Sequence, residues 1–109
     1  MAYSEEPAQR IRDEIGEHPA LAEMKMFGGI AFMIQGNMSV GVAGDDLMVR
    51  VGRDADEEAL AEPHVRPFDM TGKRMTGWVL VAAEGIDEDD NLARWIDTGV
   101  AYAESLPPK

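Results

Sequence analysis

Residues 24–52, MKMFGGIAFMIQGNMSVGVAGDDLMVRVG, constrain the fold most strongly, because strand-like apolar runs are interrupted there by short polar pairs. Gly36-Asn37 and Gly44-Asp45 suit the two-residue turns that close β-hairpins. We therefore predict three antiparallel strands, at about residues 25–35, 38–43 and 46–52.

The first of these strands contains two adjacent glycines, Gly28 and Gly29. Glycine in a strand interior costs roughly 0.5–1 kcal/mol relative to alanine. The pair is therefore expected to mark a bend or a close approach of another backbone near one end of the strand.

The two turns also predict which side chains share each face of the sheet. Pairing Gln35 with Met38 places Met33 opposite Val40, and the second turn places Val40 opposite Val49. The predicted core face consists of Ala31, Met33, Met38, Val40, Val42, Leu47, Val49 and Val51. The opposite face carries Ile30, Phe32 and Ile34 beside Ser39, Gly41, Ala43, Met48 and Arg50.

That opposite face is too apolar to be left open to water. We predict that its larger side chains, Ile30, Phe32, Ile34, Met48 and Arg50, bind a protein partner or a second copy of the chain. Arg50 would need a carboxylate or carbonyl partner if this face became buried.

Helical periodicity appears in three other segments. Residues 4–17 predict an amphipathic helix with Ser4 as N-cap, and residues 54–61 predict a short helix capped by Asp54. A last helix is expected over residues 87–105. Its apolar stripe consists of Leu92, Trp95, Ile96, Gly99, Ala103 and Leu106.

Two further strands complete the predicted order. VRPFDM at 65–70 is confined to a sheet edge by Pro67, and GWVLVAA at 77–83 is a clearer strand. Hairpin-joined strands with helices between the groups predict one two-layer α+β domain over residues 1–109. Its antiparallel sheet should carry the helices on one face, in the order α-β3-α-β2-α.

Composition excludes several classes of function. The chain has no cysteine, so disulfides, thiol catalysis and thiolate metal sites are excluded. Its net charge of −11 disfavours direct nucleic-acid binding, which depends on cationic contacts with phosphates. The acidic start, MAYSEEPAQR, lacks the basic and apolar regions of a secretory signal, so we expect a soluble cytoplasmic protein without a membrane role.

Few residues suggest chemistry. His18 and His64 each neighbour a proline and are expected to be surface or loop histidines. The run DEDD at 87–90 fits a helix start better than a cation site, since carboxylates complement the helix dipole. Phosphate-binding loops and catalytic triads are not indicated, and we expect no enzyme activity, metal or cofactor.

The stretch MFGGIAFMIQGNMSVGVAGDDLMVRVG, together with RPFDMTGKRMTGWVLV and SLPPK, resembles the TfoX (Sxy) N-terminal domain family over about residues 15–109. The family motif falls on Met26, Phe27, Gly28, Gly29, Asp46, Leu47 and Arg50. The resemblance implies an α+β domain shaped like type III secretion chaperones, with no catalytic residues. It also implies a regulatory role in bacterial competence, beside a transcription activator of the cAMP-receptor type.

The family's regulators carry a second, helical domain, whereas this sequence ends at Lys109, so we expect a stand-alone member. The predicted function is a non-enzymatic regulatory module that binds a protein, such as a transcription regulator, and forms a homodimer. One alternative is a nucleic-acid-associated module that uses Arg66, Lys73 and Arg74. Another is a small chaperone-like or ligand-binding protein.

Overall fold

A computed structural model describes residues 5–26, 29–68 and 75–108. The helices are α1 (Glu5–Ile15), α2 (Asp56–Leu60) and α3 (Asp89–Ser105), with 3₁₀ turns at Arg53–Ala55 and Ala83–Ile86. The strands are β1 (Leu21–Met26), β2 (Gly29–Ile34), β3 (Asn37–Ala43), β4 (Asp46–Arg50), β5 (Val65–Pro67) and β6 (Trp78–Val81). The predicted α+β class is confirmed.

The described strands form one antiparallel sheet in the order β1-β2-β3-β4-β6-β5. The predicted first strand, residues 25–35, is wrong, because the chain makes two strands there that pair as Leu21 with Ile34 and Met26 with Gly29. The order is therefore one strand longer than the predicted α-β3-α-β2-α. The edge position predicted for the strand containing Pro67 is confirmed.

The hairpin between β3 and β4 has the predicted register, with Val40 opposite Val49 and Ala43 opposite Asp46. The hairpin between β2 and β3 does not. Its turn residues are Gln35 and Gly36, which have φ values of 55° and 82°, and the flanking pair is Ile34 with Asn37. The turn therefore lies one residue earlier than predicted.

A register shift adds to this difference. Phe32 pairs with Val40 and Met33 with Met38, so Ser39 is an extra residue in β3, as in a β-bulge. The buried Ser39 hydroxyl donates a 2.8 Å hydrogen bond to the Phe32 carbonyl oxygen. The earlier turn moves the β2–β3 pairing by two residues and keeps the faces. Because side chains alternate along a strand, the single extra residue is what exchanges the two faces of β2 relative to Val40.

The exchange overturns the predicted partner face. Ile30, Phe32 and Ile34 are buried, with exposed fractions of 3%, 0% and 0%. Ile30 and Phe32 pack in the main core, to which all three helices contribute. Its buried residues include Ala8, Ile11, Val40, Val42, Leu47, Val49, Ala59, Val79, Val81, Leu92, Trp95 and Ile96. The helices thus cover one sheet face, as predicted.

A second, smaller core lies on the other face of the sheet. It consists of Ala31, Met38, Met48, Phe68 and Leu80, with Met33, Ala43, Met75 and Trp78 packed at its margin. Ala31, Met33 and Met38 were predicted for the helix-covered face, and the register change accounts for their transfer. Met48 is fully buried, so it too is removed from the predicted partner face.

Two glycines permit close backbone approaches. A Cβ added at Gly29 would collide with the carbonyl oxygen of Val42, which confirms the close-approach interpretation for that residue. Gly28 and Phe27 lie outside the described residues. A Cβ at Gly99 would lie 2.5 Å from the carbonyl oxygen of Ser39, so α3 rests directly on β3.

The helix ends differ from prediction in detail. The predicted N-cap Ser4 lies outside the described residues. Asp54 lies in the 3₁₀ turn, and Ala55 is the N-cap of α2, so that prediction is wrong. The apolar stripe of α3 is confirmed at Leu92, Trp95, Ile96, Gly99 and Ala103. None of the helices within the described ranges has the length and apolar character needed to cross a membrane.

Candidate functional site

Of the five larger residues predicted to bind a partner, all of them described, Arg50 is the one that is not buried. It ends β4, opposite Trp78 at the start of β6. Its guanidinium carbon lies 5.0 Å from the Trp78 ring centroid and 5.4 Å from that of Tyr102 in α3. Aromatic rings therefore hold the cation in place of the predicted carboxylate or carbonyl.

Two glycines with positive φ bring these elements together. Gly52 has a φ of 89°, and a Cβ there would lie 2.5 Å from the Tyr102 ring, so only glycine lets the ring rest on the backbone. Gly77 has a φ of 94°, and its carbonyl oxygen accepts hydrogen bonds of 2.9 Å and 3.1 Å from the amides of Val51 and Gly52. These hydrogen bonds join the end of β4 to the start of β6 beside Tyr102.

The buried side chain of Asp56 supports this arrangement. Its Oδ1 accepts a 2.8 Å hydrogen bond from the amide of Gly77. A buried carboxylate needs hydrogen-bond donors, and this contact supplies one. It also joins the first residue of α2 to the residue that precedes β6. Asp56 thus holds the backbone directly before Trp78 in place.

A cavity of about 160 Å³ opens beside the guanidinium of Arg50. The residues that line it are Arg50, Gly52, Arg53, Thr76, Gly77, Trp78 and Tyr102. We call this site the Arg50 pocket. It combines two guanidinium groups, two aromatic rings and glycine backbone, so its chemistry suits an anionic group better than a cation.

A second accessible feature lies at the β1 edge of the sheet. β1 is an edge strand, and Met24 is 51% exposed, the largest exposed hydrophobic residue in the described ranges. Met24 lies opposite Ala31 in the β1–β2 register, next to the half-buried Met33 on the methionine-rich face. We call Met24, Met33 and the β1 backbone the β1 margin.

The predicted basic cluster is only partly described, since Lys73 and Arg74 lie outside the described residues. Arg66 forms an ion pair with Asp46, the motif residue that begins β4. Its guanidinium is therefore already occupied by a carboxylate. The cluster gains no support as a nucleic-acid contact from the part that is described.

The histidines and the acidic run have structural contacts. His18 Nε2 lies 3.0 Å from Glu104 Oε2, and the backbone oxygen of His64 accepts a 2.8 Å bond from the amide of Ala82. Asp89 and Asp90 occupy the first turn of α3, where carboxylates complement the helix dipole. Asp89 also pairs with Arg10 at 3.1 Å.

Sequence reasoning identified Arg50 but missed its aromatic partners. Trp78 and Tyr102 are far from Arg50 in sequence, and Tyr102 lies beside the predicted stripe of α3. The usable signal was the pair of glycines that follow one strand and precede another, in VRVG and TGW. Glycines at strand ends mark places where another group can approach the backbone.

The motif residues occupy the sheet. Met26 ends β1, Gly29 begins β2, Leu47 is fully buried and Arg50 lines the pocket. No curated protein and no solved structure matches the chain. The family model of the TfoX N-terminal domain matches residues 13–103, most of the sequence. The chain therefore belongs to the TfoX N-terminal domain family.

Proposed function

We propose that this chain is a non-enzymatic regulatory module of the cytoplasm that acts by binding another protein along the β1 margin. The observation that carries the proposal is the exposure of Met24 on an edge strand. An edge strand presents unpaired backbone groups that an extended segment of a partner can pair with. Met24 and Met33 would supply an adaptable apolar contact beside that backbone.

The charge of the chain favours a particular kind of partner. With 21 acidic and 10 basic residues, the surface attracts a basic protein and repels a second copy of itself. The proposed occupant is therefore an extended apolar segment of a basic protein. A transcription regulator is the partner class that the family resemblance implies.

The predicted homodimer depended on Ile30, Phe32 and Ile34, which lie in the core. Self-association through the β1 margin is therefore the competing outcome of the same experiment.

The experiment places a photo-reactive amino acid at Ala22, which is exposed and lies two residues before Met24 on the same strand face. Irradiation in the native cells should give an adduct with one basic protein. Met24→Glu in the same chain should reduce the adduct about tenfold, because a carboxylate would have to be desolvated in the contact.

Lys25→Gln is the matched control, since it lowers the net charge by the same one unit at the neighbouring exposed residue. It should leave the adduct intact. Equal yields from the wild type and Met24→Glu would refute the proposed surface. An adduct formed only between two copies of the chain would mean that the β1 margin is a homodimer interface and that no different protein binds there.

A further inference from the structure

The arginines of this acidic protein divide into two groups. Among the six arginines in the described ranges, four pair with carboxylates: Arg10 with Asp89, Arg12 with Glu23, Arg66 with Asp46 and Arg94 with Glu62. In the same ranges, no ion pair or hydrogen bond involves the guanidinium groups of Arg50 and Arg53. Both unpaired arginines line the Arg50 pocket.

This division is unexpected for a chain in which acidic residues outnumber basic ones by 21 to 10. Carboxylates are abundant, yet the half-buried Arg50 has aromatic neighbours instead. Partial burial of a cation costs free energy unless hydrogen-bond acceptors reach it. The guanidinium of Arg50 therefore lacks an anionic partner among the described residues, and an anion bound in the pocket would supply one.

The contacts of Arg50 with the two rings leave its N–H donors available to an anion. A guanidinium that lies over aromatic rings uses its face for the contact, while its N–H donors point outward in the plane of the group. These in-plane donors match the two oxygens of a carboxylate or phosphate. The rings of Trp78 and Tyr102 thus contact the guanidinium without accepting hydrogen bonds at its edge.

We propose that the Arg50 pocket binds a small oxyanion, a carboxylate or phosphate group, through paired N–H donors of Arg50 with Arg53 at its rim. The cavity of about 160 Å³ is smaller than the roughly 300–1,000 Å³ of sites for drug-sized ligands. The pocket therefore fits an anionic group or a very small molecule. This site is separate from the β1 margin and does not depend on the proposed protein partner.

The test is an NMR titration of the labelled full chain with inorganic phosphate and, separately, with succinate. The ionic strength is held at about 0.1 M, where the Debye length of roughly 10 Å screens distant carboxylates. Saturable shifts are expected at the side-chain Nε–Hε of Arg50 and the indole N–H of Trp78. The two titrations distinguish phosphate from carboxylate as the preferred group.

The protein supplies an internal reference and a matched control. Arg94 also lies over a tryptophan ring, with its guanidinium carbon 4.7 Å from the Trp95 centroid, but it is paired with Glu62 at 2.8 Å. Its signals should not move with either anion. Arg94→Gln removes the same single charge as Arg50→Gln and should leave the affinity unchanged.

Arg50→Gln should weaken binding about tenfold to a hundredfold, the factor that corresponds to one hydrogen bond to a charged group. Arg53→Gln, at an exposed rim position, gives a smaller loss and keeps the test decisive if Arg50→Gln unfolds. Two outcomes would overturn the proposal. One is equal shifts at Arg50 and Arg94, and the other is linear, unsaturated shifts that chloride reproduces.

Discussion

Gly99 is a residue at which the helical layer closely approaches the backbone of the sheet. A Cβ at this position would lie 2.5 Å from the Ser39 carbonyl oxygen and 2.6 Å from Val40 Cγ1. The Ser39 oxygen belongs to the backbone of a central strand and cannot rotate away. The small residue in the stripe of α3 is therefore a packing requirement.

We expect Gly99→Ala to lower the free energy of unfolding by roughly 1–3 kcal/mol, the usual cost of overfilling a packed contact. This sign is informative, because alanine in a helix interior is favoured over glycine by about 1 kcal/mol. Urea denaturation measures the change. Asp97→Ala, at an exposed position of α3, should be neutral or stabilising, and a stabilised Gly99→Ala would contradict the close approach.

The hairpin between β2 and β3 is the element whose turn lies one residue earlier than the sequence predicts. Gln35 has a φ of 55°, a left-handed conformation that costs a side-chain-bearing residue about 1–2 kcal/mol. Asn-Gly is the pair that such turns prefer. We therefore expect Gln35→Asn to raise the urea midpoint, and Gln35→Val to lower stability by about 1 kcal/mol, since β-branched residues tolerate positive φ poorly.

The two substitutions separate the observed turn from the one predicted by sequence. If Gly36 and Asn37 were the turn residues, position 35 would belong to a strand. Valine would then be favourable there and asparagine unfavourable, because strands prefer β-branched residues. A stabilised Gln35→Val would therefore contradict the turn at Gln35 and Gly36.

The same hairpin shows how far the sequence could predict the fold. The class, the helical stripe and the β3–β4 register follow from periodicity and turn residues. The β2–β3 register does not, because both faces of β2 are apolar and alternation cannot tell Phe32 from Met33 as the core residue. The extra residue at Ser39 depends on a tertiary hydrogen bond to Phe32.

The sequence predicted the candidate site only in part, for a similar reason. Arg50 stood out as a lone cation in an apolar strand, which sequence can show. Its partners Trp78 and Tyr102 come from β6 and α3, so their approach depends on strand order and helix packing. Only the two glycines, Gly52 and Gly77, marked that convergence locally.

The charge of −11 acts on the molecule as a whole. The described chain measures about 32 × 30 × 27 Å, and the Debye length is roughly 30 Å at 0.01 M salt and about 10 Å at 0.1 M. At the lower salt concentration, carboxylates on opposite sides repel each other. At the higher one, only neighbouring charges interact.

We therefore expect the urea midpoint to rise as NaCl increases from about 0.01 M to about 0.1 M. Screening also weakens ion pairs such as Arg10–Asp89, but an exposed pair contributes at most about 1 kcal/mol, so the relief of repulsion should exceed that loss. Arg50→Gln should show the same rise. A rise that disappears in this variant would mean that chloride stabilises the Arg50 pocket, and a falling midpoint would mean that ion pairs outweigh the repulsion.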